Sequence, residues 1–311
     1  MGASLSSEEG PFDRVDAIKE QLFEFESRLS SIEQEHQRAL RAPASSDLEI
    51  CGVQLRCRRD VRVQLGPVIG RVTTTEAVVL LETDREADVT AHVCIVDDTN
   101  VAGGREVSRV VARCAAGAPR AFALPGLLAG ERYLVCFAGV HRDDALQCVG
   151  EFVTPAASER GTALRVAAVS GDRPGELAPG ELDLWKTLAE RVASRHLPPL
   201  DLMLHLGGQV SLERSFEDAW ALLKRCAEAG GNRAQWARAE ALARDRLRAR
   251  YRFAWNLPFT REVLARCSHA MLGGERDVYP NFTQALELSA EIGGEFARCA
   301  LLSLPSSGPR G

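Results

Sequence analysis

Long apolar runs are missing from this 311-residue chain: no stretch approaches the roughly 18 residues that a membrane-crossing helix needs. No spanning segment is expected. The start is also without a basic stretch and an apolar core, because Met1-Gly2-Ala3-Ser4-Leu5-Ser6 runs straight into Glu8-Glu9-Gly10. A secretory leader is therefore not expected. C-x-x-C pairs are absent although there are nine cysteines, at 51, 57, 94, 114, 136, 148, 226, 267 and 299, most of them in apolar surroundings such as Leu134-Val135-Cys136-Phe137. An odd number in that setting favours reduced, buried thiols over a disulfide framework, and with the missing leader it predicts a cytoplasmic protein. Lysine is scarce, confined to Lys19, Lys186 and Lys224, so arginine carries the positive charge. The formal net charge of -5 is mild and directs the chain to neither nucleic acid nor an anionic membrane.

What is present divides into four stretches. In residues 1–47, Gly2 and Ser6 match the pattern for N-myristoylation, which with no second signal would give weak, reversible membrane association. Val15, Ile18, Leu22, Phe25, Leu29 and Ile32 then recur at heptad spacing, predicting a helix over about 12–41. Its narrow apolar stripe serves either packing on the protein's own body or coiled-coil self-association with a partner helix. Arg41 to Ser46 reads as a linker.

Over 48–156 the period changes to short strand-like runs: Val61 to Leu65, Ala77 to Leu81, Val89 to Val96, Val107 to Ala112 and Tyr133 to Phe137. Their regular spacing predicts an antiparallel β-sandwich of fibronectin III-like type, with Leu127, Gly130 and Tyr133 at the spacing of a tyrosine corner. His92 and His141 have no metal-ligand spacing and read as structural.

Residues 157–304 alternate apolar strands with helices, which predicts a parallel sheet and a site at the strand C-terminal ends. Leu164 to Val169 leads into Ser170-Gly171-Asp172, Leu200 to Leu206 into Gly207-Gly208-Gln209, and a strand near 268–272 into Gly273-Gly274-Glu275-Arg276-Asp277. Helices are expected at about 181–195, 213–252, 260–266 and 282–299, and residues 305–311 read as a disordered tail.

These segments resemble the PhoD-like metallophosphatases of the calcineurin-like phosphoesterase superfamily. The resemblance rests on Arg165 to Arg173, Asp201 to Val210, Tyr251 to Pro258, Val263-Leu264-Ala265 and Met271 to Tyr279, with Gly66 to Thr73 similar to the entry of the β-sandwich that precedes the phosphatase domain there. It implies a partial α/β metallophosphoesterase-like domain acting ancestrally on phosphate esters. The departures imply inactivity. Where the family carries a cysteine after the first strand, a metal-bridging aspartate after the second and an Asp-Asp-His-Asp loop after the third, this chain has Gly171, Gly208 and Gly274-Glu275-Arg276-Asp277.

Electrostatics gives those changes their weight. Two dications about 4 Å apart repel by roughly 17 kcal/mol at an effective dielectric near 20, and glycine supplies no anion between them. Arg276 adds a fixed positive charge where the family has an imidazole. Asp172, Glu275 and Asp277 are the remaining candidate metal ligands. The family's later Gly-His-x-His loop has no counterpart, since the last histidine is His269, so the domain reads as C-terminally truncated with an incompletely covered sheet.

The expectation is a pseudoenzyme with a binding or scaffold role and no cofactor. The alternative is a weak metal-dependent phosphoesterase using Fe, Ca or Mn. Arg244, Arg246, Arg248, Arg250 and Arg252 form a basic run, read here as a solvated helix side, and neither nucleic acid nor phosphoinositide is expected as a partner.

Overall fold

A computed structural model describes residues 48–96, 104–141, 148–157, 164–172, 182–194, 197–274 and 277. All lie in one compact unit, Asp47–Gly311. The Gly2 modification, the heptad stripe of Val15 to Ile32, the helix expected at 282–299, and Glu275 and Arg276 lie outside the described residues.

Twelve strands and four helices are described. A hairpin of β1 (Leu48–Ile50) and β2 (Val53–Leu55) comes first. Next are β3 (Val63–Val72), β4 (Glu76–Thr83), β5 (Ala87–Ile95), β6 (Arg105–Cys114), β7 (Arg120–Pro125), β8 (Arg132–Ala138) and β9 (Val149–Val153). They form two antiparallel sheets, of order β3-β4-β7 and β6-β5-β8-β9. Both sheets contribute to one core, where Ile69, Val79, Leu81 and Phe122 meet Val89, Val93, Val135 and Phe152. Alternation explains the arrangement: along β7 only Phe122 and Leu124 are buried among exposed neighbours. The Leu128 amide donates to the Tyr133 hydroxyl at 2.7 Å, so the spacing of Leu127, Gly130 and Tyr133 does close a tyrosine corner.

The β3 strand departs from alternation, with Leu65 to Ile69 buried without a break. One side of it faces the sandwich core through Ile69. Its other side, through Leu65 and Val68, packs on Phe216, Leu247, Tyr251 and Trp255 of the helices that follow. A strand buried on both faces reads in sequence as a continuous apolar run.

Then β10 (Val166–Val169), β11 (Leu202–Leu206) and β12 (His269–Leu272) form a parallel sheet in that order, as the alternating pattern predicted. The connections are α1 (Leu184–Ala193), and then α2 (Glu213–Glu228), α3 (Arg233–Trp255) and α4 (Pro258–Leu264). The single helical region expected over 213–252 is therefore two helices. Gly230 adopts a left-handed φ of 62° that ends α2, and Asn232 with Gln235 forms a capping box that starts α3.

One face of the parallel sheet carries Ala167, Val169 and Met203 and is covered by Trp185 and Leu188 of α1 with Phe259 and Val263 of α4. The opposite face carries Val166, Leu206 and Leu272, which are exposed. A parallel sheet ordinarily buries both of its faces, so this one is half covered by the described residues.

The basic run on α3 does not form a uniform solvent face. Arg252 Nη2 lies 2.6 Å from Glu82 Oε1, and Glu82, on β4, is only 1% exposed. Arg248 Nη1 and Arg252 Nη2 both donate to the Gly117 carbonyl, at 2.8 and 3.2 Å. Reading Arg244, Arg248 and Arg252 as one solvated side is thus corrected: two of them clamp α3 to the sandwich, because the turn at Gly117 and the end of β4 offer a carbonyl and a carboxylate where helix and sheet meet.

Candidate functional site

Three loop tips meet at the C-terminal end of the parallel sheet, as the strand ends require: Ser170-Gly171-Asp172 after β10, Gly207-Gly208-Gln209 after β11, and Gly273-Gly274 with Asp277 after β12. They meet backbone to backbone. The Gly171 amide donates to the Gly207 carbonyl at 3.1 Å, and Ser170 Oγ reaches the same oxygen at 3.2 Å. Gln209 Nε2 donates to the Leu272 carbonyl at 2.9 Å.

Asp277 ties the second tip to the third. Its Oδ2 accepts the amides of Gly208 at 2.8 Å and Gly274 at 2.9 Å, and its Oδ1 accepts the amide of Val210 at 2.8 Å. It is 1% exposed. Three backbone donors on one buried carboxylate are an effective means of holding a negative charge without a cation. The phenol of Tyr251 is pushed well above its ordinary range, first by burial and then by the charge of Asp277.

The glycines set how tightly the tips close. Gly171, Gly207 and Gly208 have left-handed φ values of 72°, 90° and 67°, which disfavour other residues. A Cβ on Gly208 would stand 3.0 Å from Gly171 Cα, and one on Gly274 would stand 2.6 Å from the Gly208 amide nitrogen. Side chains at positions 208 and 274 have no room unless the backbone moves. Gly171 differs, because a Cβ there would meet no atom within 4 Å. Asp172 is half-buried beside its tip.

Behind the tips lies a pair of buried histidines that the sequence reading did not couple. His205 Nε2 is 2.9 Å from His269 Nδ1, and His269 Nε2 faces the carbonyls of Val263 at 3.1 Å and Arg266 at 3.2 Å. Two carbonyl partners place the His269 proton on Nε2, so His205 donates to His269 Nδ1 and both rings are neutral. Burial first, and then the neighbouring ring, lowers the pKa of His205 to about 3; burial, opposed by the two carbonyls, lowers that of His269 to about 4. Their separation of 64 positions hid the pairing, and the parallel register that sets Met203 opposite His269 creates it.

Among the described residues, no group of three or more His, Cys, Asp or Glu is arranged to hold a metal ion. Of the candidate ligands Asp172, Glu275 and Asp277, two can be located, and Asp277 directs both oxygens at backbone amides.

The overall fold has a counterpart among solved structures. The fold is PhoD-like. A structure of PhoD superposes with a TM-score of 0.53 at 14% identity, covering 80% of this chain and 47% of that one, so the chain spans about half the length of PhoD. Two further structures align with far lower scores. The sensor domain of the anti-sigma factor RsgI4 in Pseudobacteroides cellulosolvens gives 0.23 at 13% identity, over 40% of this chain and 94% of that one. A Bacteroides uniformis beta-glucuronidase gives 0.24 at 12% identity, over 83% and 36%. Scores of that size carry no argument. No family model and no curated protein matches the chain.

Proposed function

We propose that this chain is a catalytically silent relative of the PhoD-like phosphatases that works by binding. One observation carries the reading: the buried carboxylate at the loop tips, Asp277, is consumed by three backbone amides, two of them from the glycines at 208 and 274. Two-metal phosphoester hydrolysis needs anionic groups that bridge and surround the cations, so that attacking and leaving oxygens can be clamped together. The residues at these tips do not fit a metal pair. Gly208 contributes an N–H where a bridging ligand would be needed, and the hydrogen of an amide repels a cation. Loss of hydrolysis leaves binding as the use of the retained fold, and the heptad stripe of Val15 to Ile32 gives such a protein a means of association.

The test is hydrolysis of a chromogenic phosphate monoester and diester by the full chain, with Mn²⁺, Fe²⁺ or Ca²⁺ added, beside Glu275→Ala. The reading expects no metal-dependent turnover above buffer. Turnover that requires the metal and disappears in the variant would establish a weak phosphoesterase instead.

A further inference from the structure

A second chemical cluster lies on the sandwich, away from the loop tips. Cys57, in the loop after β2, is exposed, and its Sγ stands 3.3 Å from Nδ1 of His141. The backbone fixes both residues. The His141 amide donates to the Val61 carbonyl at 2.7 Å, the Val63 amide to the His141 carbonyl at 3.1 Å, and the Gly139 amide to the Arg56 carbonyl at 2.8 Å. Val61, fully buried, anchors the loop in the core. A thiol and an imidazole at hydrogen-bond distance on a braced backbone form a nucleophile with its base.

Among the described residues, arginines cluster around the pair. Arg56 and Arg58 flank Cys57 directly, and Arg59 follows. Asp60 holds Arg58 at 2.7 Å, Asp84 accepts the Arg62 amide at 2.8 Å and lies 3.8 Å from Arg85, and Asp88 acts on Arg58 from β5. Arg56 and Arg59 are both exposed. Cys51, Cys94, Cys114, Cys136 and Cys267 are buried. Burial pushes the thiols of Cys94 and Cys267 up to about 12, and those of Cys51, Cys114 and Cys136 upward as well.

We propose that Cys57 and His141 form a reactive pair, modified by exchange with a small anionic disulfide of the oxidised-glutathione type. His141 takes the thiol proton. The thiolate attacks one sulfur of the disulfide, the old S–S bond breaks as a new one forms to Cys57 Sγ, and the released thiolate recovers the proton from the imidazolium. The arginines attract the carboxylates of the incoming disulfide.

Site-resolved alkylation of the native full chain with iodoacetamide at pH 6.5 provides the test. An ordinary thiol is only about 1% ionised there, so Cys57 is expected to react at least ~10-fold faster in the folded than in the urea-unfolded chain. His141→Gln should bring the two rates within about twofold. Oxidised glutathione should add one glutathione, on Cys57, and none to Cys57→Ser. The Arg56→Ala/Arg59→Ala double variant, altered only at exposed positions, should slow exchange with oxidised glutathione more than exchange with an uncharged disulfide. Equal folded and unfolded rates, a rate unmoved by His141→Gln, equal slowing with both disulfides, or glutathione on another cysteine would each overturn the proposal.

Discussion

Asp277 accepts the Gly208 amide at 2.8 Å, so the carboxylate of the third loop tip closes the second. In a site built for cations, that negative group would face inward to a metal. Here it faces main chain, and it stabilises the junction of the strand ends.

Replacing Asp277 should therefore damage folding more than chemistry. Asp277→Ala leaves three backbone amides, that of buried Val210 among them, without this acceptor and should cost about 3 kcal/mol or more. Asp277→Asn keeps one oxygen but turns an NH₂ toward an amide donor, costing about 1–3 kcal/mol. Urea denaturation midpoints, converted with a common slope, measure both.

The glycines should not be equivalent. Gly171→Ala meets only the left-handed backbone penalty, about 1–2 kcal/mol, because its Cβ would enter open space. Gly208→Ala adds a collision with the Gly171 backbone and should be the more destabilising. Gly208→Asp, although it supplies a carboxylate, should neither gain metal nor match wild-type stability. Melting curves with and without Mn²⁺ would show this as a lowered Tm that the ion does not restore.

The histidine pair predicts an acid limb. An ordinary histidine has a pKa of about 6.5 when unfolded, whereas those of His205 and His269 are lowered to about 3 and about 4 in the fold. Below pH 6.5 the unfolded chain binds protons that the native chain does not. Stability is thus full above that pH and falls progressively as pH drops toward 4, by at most about 2 kcal/mol per histidine at pH 5. His205→Gln keeps a donor for His269 and removes one titrating group, so the loss between pH 7.5 and 5 should shrink by roughly half, read from denaturation midpoints.

The clamp between α3 and the sandwich offers an independent check. Arg252→Ala strands the carboxylate of Glu82, which is 1% exposed, and should cost about 3–5 kcal/mol. Restoring a neutral partner set with Arg252→Met/Glu82→Leu should recover most of that loss. Equal denaturation midpoints for the single and double variants would contradict the clamp.

Much of the architecture was legible because local patterns and tertiary structure agree. The runs of Ala77 to Leu81 and Val89 to Val96, the apolar runs of β10 and β11, and the spacing to Tyr133 each led to the element observed. The failures have a shared physical origin. Continuous burial of Leu65 to Ile69 depends on helices far away in sequence, and so does the capture of Arg252 by Glu82, 170 positions apart. The partners of Asp277 were illegible for a related reason: a carboxylate that takes three backbone amides looks the same in sequence as one that binds metal. The Gly230 break is different, since Gly230-Gly231-Asn232 was visible and was overridden by the helical period on either side.

The most direct measurement of the central claim is metal content. Elemental analysis of the full chain, purified without chelator and then dialysed against Mn²⁺, Fe²⁺ or Ca²⁺, should find no stoichiometric metal at the loop tips. Two metal ions per chain, accompanied by cleavage of a phosphate ester, would contradict it.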